Sequence, residues 1–279
     1  MTTLPHDQPT PVASTDNVVV KHIRALQRDG SAYKKTNTVW LEGDHLCRAA
    51  HGAGFAPRVF VWSQQAWQRC LQTTEGHDLH AQATMRCANA AKHQIIMSDK
   101  LWADLSGLES WTGMGAIFDL SPAHACHVQV AVPTVIVDRV QDPGNLGSII
   151  RTAAAMGFSQ VLAIKGSVAL WSPKVLRAGM GAHFSLNMVE GLDPDDLSKL
   201  TVPLLLTSSH QGEWLHQKSL PWPCAWVMGH EGQGVSRAIE DMVQHHIRVI
   251  QPGGEESLNV AAAAAVCMHA SAAAQYPVV

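Results

Sequence analysis

The chain has 279 residues, of which 46% are apolar, and it carries a formal net charge of −3. This length and apolar content are typical of a globular protein with one large domain or two ordinary ones. No stretch approaches the ~20 apolar residues of a membrane helix, and the first residues lack the basic and apolar regions of a signal peptide. A cytoplasmic protein without membrane contact is therefore expected. The net charge argues against nucleic-acid binding over the whole surface.

The cysteines and histidines do not indicate a metal site. The six cysteines are scattered without a CxxC pair, which predicts reduced, mostly buried thiols rather than disulfides or structural zinc; they are Cys47, Cys70, Cys87, Cys126, Cys224 and Cys267. Among the sixteen histidines, the best metal candidates are His245, His246 and His230, but no pair has a convincing ligand spacing with a carboxylate. No metal is expected.

Positive charge is concentrated near the amino terminus. From residue 21 to residue 58 there are seven Lys or Arg and three acids, a local balance of +4. Such a segment is compatible with an RNA partner or with an ordinary solvated helix face. The basic residues predicted to contact RNA are Lys21, Arg24, Arg28, Lys34 and Lys35.

The first part of the chain predicts a small α/β unit. Residues 1–16, rich in Pro and Thr, predict a disordered arm. Helical spacing in "VVVKHIRALQRD" is followed by a strand and helix in "TVWLEGDHLCRAAHGAG", a strand in "RVFVW", a helix in "WQRCLQ", an apolar stretch and short helix in "HQIIMSDKLWADLSGL", and a strand in "MGAIFDL". The unit covers residues 17–120, and residues 121–131 are expected to be a linker.

From residue 132 to residue 279 strands, loops and helices alternate. The apolar, β-branched runs "TVIVDRV", "QVLAIKG", "PLLLTSS", "WVMG" and "IRVIQ" predict a mostly parallel sheet covered on both faces. In such sheets the ligand binds beyond the carboxyl ends of the strands. Trp40, Trp62 and Trp226 lie in apolar runs and are expected in the core, whereas Trp171 and Trp214 are candidates for exposed contacts.

The loop "DPGNLGSIIR" combines turn residues with polar side chains. Asp142-Pro143-Gly144 is turn chemistry, and Gly147 with Ser148 predicts the start of a helix. Asn145 is then expected in the loop and Arg151 on the first turns of the helix. A simple turn with a surface arginine is the alternative.

The loop "MGHEGQGVS" has glycines at 229, 232 and 234, which allow the backbone to approach a ligand closely. Its spacing excludes the dinucleotide and Walker fingerprints. Glu231 follows a buried apolar run, where a charge without a role is unexpected. A flexible surface turn is the alternative.

The segment "EESLNVAAAAAV" places polar residues before a run of alanines. Either Ser257 or Asn259 can cap the following helix. The alanines predict a thin helix that packs closely against its neighbours.

Taken together, "NLGSIIRTAAAMGF", "VMGHEGQGVS" and "SLNVAAAAAV" resemble the three motifs of the SpoU/TrmH branch of the SPOUT RNA 2′-O-methyltransferases. More loosely, "VVVKHIRALQRDGSAYKKTNTVWLEGDHL" is similar to the L7Ae/L30-like substrate-binding domain of many members. The resemblance implies an α/β fold with a carboxyl-terminal trefoil knot, a rare exception to unthreaded connections. It also implies S-adenosylmethionine as cofactor, structured RNA as substrate and a homodimer formed partly by the alanine helix.

The resemblance also implies roles for individual residues. The functional polar positions are Asn145, Arg151, Glu231, Ser257 and Asn259, and the cofactor contacts are Ser208, Gly229, Val249, Ile250 and Leu258. Because a guanidinium stays protonated, Arg151 is expected to hold an RNA phosphate and stabilise the developing oxyanion rather than act as a base. His230 stands where asparagine is frequent, and "VIQPGG" replaces the usual "IPM", which leaves the choice between Val249 and Ile250 open.

The extra domain favours ribosomal RNA, specifically 23S, as the substrate. Transfer RNA is one alternative. Another is a catalytically weak RNA-binding or ribosome-assembly factor with the same fold. A nicotinamide-dependent oxidoreductase is disfavoured, because "QDPGNLG" lacks the glycine spacing of the dinucleotide fingerprint.

Overall fold

The computed structural model describes residues 8–74, 78–120, 127–208, 211–253 and 257–275. The chain divides into two compact units. Residues 1–124 with 171–173 form the amino-terminal unit, and residues 125–170 with 174–279 form the carboxyl-terminal unit. The division falls inside the predicted linker, of which residues 121–126 lie outside the described ranges.

The amino-terminal unit is built on a five-stranded sheet of order β1-β4-β3-β5-β2, in which only the pairs that involve β5 are antiparallel. Its strands are β1 (Thr10–Val12), β2 (Thr38–Glu42), β3 (Pro57–Ser63), β4 (His93–Met97) and β5 (Met114–Asp119). Its helices are α1 (Val18–Arg28), α2 (Ala32–Thr36), α3 (Asp44–Gly52), α4 (Gln64–Thr74), α5 (Leu79–Asn89) and α6 (Asp99–Leu105). The predicted elements are confirmed, whereas α2 and α5 were not predicted.

Strand β1 corrects the prediction for the amino terminus. The sequence predicted a disordered arm over residues 1–16, but Thr10–Val12 pairs in parallel with Ile95–Met97 of β4. The exposed edge of β4 offers unpaired backbone groups, and Val12 gains burial by pairing there. The prediction of disorder is therefore wrong for this stretch, and residues 1–7 lie outside the described ranges.

Helices α1 and α2 carry the predicted basic residues. Val20, Ile23 and Leu26 form the buried face of α1. Lys21 and Arg28 are exposed and Arg24 is half-buried, while Lys34 and Lys35 are exposed on α2. Lys21 Nζ pairs with the Asp16 carboxylate at 2.9 Å. The five cations thus lie on two consecutive helices.

The carboxyl-terminal unit contains a seven-stranded parallel sheet of order β10-β12-β9-β11-β6-β7-β8. Its strands are β6 (Thr134–Asp138), β7 (Gln160–Ile164), β8 (Asn187–Leu192), β9 (Leu204–Thr207), β10 (Glu213–Trp214), β11 (Ala225–Gly229) and β12 (His245–Arg248). Its helices are α7 (Pro143–Ala155), α8 (Pro173–Gly179), α9 (Arg237–Glu240) and α10 (Val260–Ala273), with short 3-10 helices at 182–185 and 194–199. The predicted α/β class with a mostly parallel sheet is confirmed, and the trefoil knot stays a prediction.

Helix α10 packs against α7 and β11 through its small residues. Ala264, Cys267 and Met268 are fully buried. The buried Ser271 hydroxyl accepts a hydrogen bond from Trp226 Nε1 at 2.9 Å. The close packing expected of the alanine helix is confirmed.

The remaining predictions on core residues are confirmed where the structure describes them. Trp40, Trp62 and Trp226 are buried, with exposures of 6% or less. Five of the six cysteines are buried and form no disulfide among the described residues, and Cys126 lies outside the described residues. In the described ranges, every helix is too short or too polar to cross a membrane.

Candidate active site

A cavity of about 610 Å³ opens at the carboxyl edge of the seven-stranded sheet. The ends of β9, β11 and β12 and the start of α10 form its walls. Its lining residues are Leu206, Thr207, Ser208, Met228, Gly229, His230, Glu231, Gly232, Gln233, Gly234, Val235, Val249, Gln251, Ser257, Leu258, Asn259, Val260 and Ala263. Two of the three suspected loops therefore meet in one cavity.

The third loop leads into α7, which begins earlier than predicted. The Asp142 carboxylate caps the helix by accepting from Asn145 N at 2.7 Å, and Pro143 occupies the first turn. Proline is favoured there because its fixed φ suits a helix and its missing N–H would have no helical partner. The predictions that Gly147 and Ser148 start the helix and that Asn145 lies in a loop are therefore wrong.

Glu231 connects the glycine loop, defined as residues 229–236, to the start of α7. Its Oε1 accepts from Asn145 Nδ2 at 3.1 Å and from Asp142 N at 3.2 Å. Its Oε2 accepts from Gln141 N at 3.2 Å. The carboxylate thus takes three donors from a segment about 90 residues earlier in the chain.

These donors determine the charge of Glu231. Partial burial acts to raise the pKa of this carboxyl, but hydrogen bonds from the Asn145 side chain and from the backbone of Gln141 and Asp142 hold the pKa below its ordinary value. Glu231 is therefore ionised at neutral pH. A carboxylate with a lowered pKa is a weak proton acceptor, so its chemistry here is that of a fixed anionic acceptor.

Asn259 joins the same network from the third motif. Its Oδ1 caps α10 by accepting from Ala261 N at 2.9 Å and Ala262 N at 3.3 Å. Its Nδ2 donates to Asn145 Oδ1 at 2.9 Å. Of the two residues that could cap α10, Asn259 does so, and the three predicted residues Asn145, Glu231 and Asn259 form one hydrogen-bonded chain.

The glycine loop folds back on itself. His230 and Gly234 exchange backbone hydrogen bonds of 3.0 and 2.9 Å, and Gly234 has a positive φ of 68°. The His230 ring accepts from Gly232 N at 2.9 Å through Nδ1. A Cβ on Gly229 would lie 2.5 Å from the Gly234 carbonyl carbon, so only glycine fits there. The histidine that replaces the family's asparagine therefore supports the loop from within.

Arg139 holds the same loop from the side of β6. Its Nη1 donates to Gln233 Oε1 at 2.9 Å and its Nη2 to Gly234 O at 3.3 Å, while Nε faces Asp138 Oδ1 at 3.2 Å. Asp138 is fully buried and accepts from Ser236 N at 2.5 Å. Two consecutive residues thus bind the second half of the glycine loop.

The sequence reasoning missed this contribution of Asp138 and Arg139. Arg139 has a positive φ of 59°, a region that non-glycine residues rarely adopt. The signal that was available is the acid–base pair placed directly after a buried strand, at the edge where ligands bind.

The other predicted residues differ in their placement. Ser208, Ser257 and Leu258 line the cavity, and so does Val249. Ile250 lies outside the lining and is 57% exposed, so the geometry favours Val249 over Ile250. Arg151 is exposed on α7, also outside the lining, and its side chain makes no hydrogen bond or ion pair within the part of the chain that the structure describes.

The cavity fits the methyl donor that the sequence motifs imply. Leu206, Val249 and Leu258 supply apolar surface for a purine, and the glycine loop presents backbone groups that can hydrogen-bond to its edge and to a ribose. Across the described ranges, no three His, Cys, Asp or Glu side chains are grouped so as to hold a metal ion.

Comparisons with known proteins agree with these features. Residues 133–269 match the SpoU rRNA Methylase family. The chain is 28% identical over 244 residues to the 23S rRNA (guanosine(2553)-2′-O)-methyltransferase RlmP of Bacillus subtilis, covering 84% of this chain and 88% of that one. It is 34% identical over 168 residues to the human mitochondrial rRNA methyltransferase 3, covering 57% of this chain but only 36% of the longer human protein.

A solved structure extends the likeness to nearly the whole chain. The AdoMet-bound rRNA methyltransferase from Sinorhizobium meliloti is 25% identical, with a TM-score of 0.76 over 95% of this chain and 98% of that one. The family match covers all three motifs and the strands that carry them. Residues 133–269 therefore form a domain of the SpoU methyltransferase family.

Proposed function

We propose that the protein transfers a methyl group from S-adenosylmethionine to a ribose 2′-hydroxyl of structured RNA, with 23S ribosomal RNA as the favoured substrate. The observation that carries the proposal is the chain of Asn145, Glu231 and Asn259, which ties the three family motifs to one cavity. The Bacillus subtilis relative bears the name of a 2′-O-methyltransferase of 23S rRNA.

The residues that would hold the cofactor are of two kinds, apolar and polar. Leu258 and Val249 offer apolar contacts, while the glycine loop and Ser208 offer polar groups. When bound, the cofactor supplies an electron-poor methyl group on a sulfonium. The chain must then position the RNA hydroxyl in line and help to remove its proton.

Roles for the polar residues follow from their contacts. Glu231 positions Asn145 and the start of α7 as an ionised acceptor, and its lowered pKa argues against a role as general base. Ser257 is exposed on the cavity wall, where its hydroxyl can contact the ribose. Arg151 binds an RNA phosphate and stabilises the developing oxyanion, since its guanidinium is exposed and remains charged.

The amino-terminal unit binds the RNA outside the cavity. Lys21, Arg24, Arg28, Lys34 and Lys35 form a basic surface on α1 and α2, although the chain as a whole has a charge of −3. This unit is the L7Ae/L30-like part of the proposal. We further propose a cytoplasmic homodimer in which α10 contributes to the interface. Its exposed face carries Ala262, Val266, His269 and Ala273, of which the two alanines allow close helix contact.

Two measurements test the proposal. Calorimetry of the full chain with S-adenosylmethionine should show one binding site, and an Asn145→Ala variant should bind more weakly because the network loses its central member. A chain that binds RNA but no donor would instead be a catalytically weak assembly factor.

The substrate is identified by mapping 2′-O-methylation across ribosomal and transfer RNA in a deletion strain and its parent. A single ribose in 23S rRNA that loses its methyl group in the deletion strain supports the proposal. A change confined to transfer RNA would move the assignment to the alternative substrate. Unchanged methylation of both would overturn the proposed reaction.

A further inference from the structure

The stacked pair Arg248 and Trp214 lies outside the residues assigned so far. The guanidinium carbon of Arg248 is 3.9 Å from the centroid of a ring of Trp214, well within the range of a cation–π contact. Both side chains are half-buried, so part of each remains open to solvent. The pair is therefore preformed and accessible.

Its position is fixed by the last strands of the parallel sheet. Trp214 lies on the edge strand β10 opposite Arg248 at the end of β12, and Leu215 N donates to Arg248 O at 2.9 Å. The residue after Arg248 is Val249, which lines the cavity. The pair thus stands at the carboxyl edge of the sheet, where Arg248 directly precedes a cavity residue in the chain.

Within the residues that the structure describes, the guanidinium of Arg248 makes no hydrogen bond and no ion pair, so no described acidic group neutralises its charge. By contrast, the nearby Lys218 pairs with Glu213 on the same edge strand. An arginine whose plane is held by stacking keeps its donors in a fixed fork, which matches the geometry of a phosphate.

We propose that Arg248, oriented by Trp214, binds a backbone phosphate of the RNA at the mouth of the cavity. The proposal rests on the proposed function, because it requires an RNA substrate whose target ribose enters that cavity. Stacking lowers the entropy lost when the guanidinium engages the phosphate. Arg248 is therefore a substrate-binding residue, and Trp214 is a positioning residue that acts through it.

A purely structural role for the pair predicts a different outcome. If the stack only secures the short edge strand β10, its removal should lower thermal stability without changing RNA binding. A phosphate contact contributes a counterion-release term, so its loss changes the salt dependence of RNA affinity. The salt slope separates the two roles.

The experiment measures binding of the full chain to a fluorescent oligouridylate and to a transcript of 23S rRNA, at several salt concentrations from about 50 to about 200 mM. The variants are Arg248→Ala, Arg248→Lys, Trp214→Leu and Trp214→Phe. The matched control is Lys199→Ala, which removes one exposed cation, paired with Asp196 at 2.7 Å, from the segment that enters the opposite end of the sheet.

We expect Arg248→Ala to weaken RNA binding about fivefold and to reduce the slope of log K against log salt by about one. Arg248→Lys should retain the slope but bind about twofold to threefold more weakly, since it keeps the charge without the fork. Trp214→Leu should resemble Arg248→Lys, and Trp214→Phe should stay near the parent. Lys199→Ala should leave affinity and slope unchanged.

The proposal is overturned if Arg248→Ala keeps the parent's RNA affinity and salt slope, whatever its melting temperature. Should Arg248→Ala unfold, Arg248→Lys and Trp214→Leu decide, since parent-like RNA affinity in both would equally overturn it. Calorimetry with S-adenosylmethionine separates this result from the proposed function. A parent chain that binds no donor contradicts the proposed function, whereas normal donor binding with unaltered RNA binding in Arg248→Ala contradicts only the phosphate site.

Discussion

The loop after β6 and the segment before α10 both adjoin the glycine loop, but they are held in different ways. In the first, Arg139 and the backbone of Gln141 and Asp142 bond to the glycine loop, as does Asp138 at the end of β6. In the second, residues 257–259, the described contact with the rest of the network is the bond from Asn259 to Asn145.

The loop after β6 therefore supports the glycine loop, and we call it the supporting wall. Residues 257–259 present their own surface to the cavity, and we call them the contact wall. The side chains of Asp138 and Arg139 bond to the glycine loop, and neither residue lies in the cavity lining. Ser257 and Leu258 lie on the lining and are exposed, so their surfaces remain available to a ligand. Changes to the first wall should therefore act through loop shape, and changes to the second through direct contact.

The largest effect is expected from Gly229→Ala. The added Cβ would lie 2.5 Å from the Gly234 carbonyl carbon and 2.6 Å from Val235 N, both backbone atoms that cannot yield. Donor affinity measured by calorimetry should fall by at least about a hundredfold, or about 2.7 kcal/mol. Gly232→Ala is the control, since its Cβ would meet only the His230 ring at 3.8 Å. Equal effects at both positions would contradict the supporting role of loop shape.

Arg151→Ala should lower the methylation rate by about a hundredfold at saturating RNA, because removal of a group that stabilises developing charge costs that much in other enzymes. Arg151 lies outside the cavity lining, so donor affinity should stay within about twofold of the parent. Single-turnover kinetics and calorimetry check the two halves separately. A variant that kept the full rate would remove Arg151 from the chemistry.

Acid sensitivity of the fold should arise away from both walls, at His183. This side chain is fully buried, its Nε2–H donates to Leu170 O at 3.0 Å, and burial lowers its pKa from 6.5 to about 4. At pH values between these two pKa values, His183 is protonated in the unfolded chain but not in the folded chain. The free energy of unfolding therefore falls as the pH decreases from 6.5 towards 4.

At pH 5 the free energy of unfolding should be lower by about 2 kcal/mol, because pH 5 lies about 1.5 units below the ordinary histidine pKa and each unit contributes about 1.4 kcal/mol. Urea unfolding of the parent and of His183→Gln at several pH values measures it. The difference between the two chains should shrink by that amount as the pH falls from 7 to 5. A difference that stays constant with pH would show that His183 does not titrate on unfolding.

Arg139→Gly should have the smallest effect and the most informative one. It removes the bonds to Gln233 and Gly234 and the contact of Nε with Asp138, but it also relieves the positive φ of 59°. We expect the KM and Kd for S-adenosylmethionine to rise about fivefold to tenfold, with kcat within about twofold and the melting temperature unchanged or higher. Arg139→Asn, which tolerates the same φ, should behave alike. A lower kcat with unchanged donor affinity would contradict the supporting role.

The sequence predicted the order of strands and helices better than the ends of its elements. Asp142-Pro143 was interpreted as a turn, although the same pair is a capping residue followed by proline in the first helical turn. Strand β1 has three residues and no periodic signal, because its stability comes from pairing with β4, about 85 residues later. Such long-range pairing leaves no mark in a local pattern.

Prediction of the candidate site was limited in the same way, by contacts between distant parts of the chain. That Asn145, Glu231 and Asn259 belong together came from the family motifs, since residues 86 and 114 positions apart carry no spacing rule. Local patterns limited the cap of α10 to Ser257 or Asn259, and they predicted a close backbone approach at Gly229, although to a ligand rather than to Gly234. They gave no indication of Arg139, since its left-handed backbone depends on contacts with a distant loop.

The hydroxyl of Ser271 has a consequence for the far end of α10. Alanine presents nearly the same surface in every direction, so a helix made largely of alanine has little to distinguish one rotation about its axis from the next. The bond from Trp226 to Ser271 removes that ambiguity, since a slip of one residue would turn the helix by about 100° and carry the hydroxyl away. Three turns earlier, the same setting aims the Asn259 amide at Asn145. One buried serine thus fixes the rotation of α10 about its axis, and the geometry of the cavity depends on that rotation.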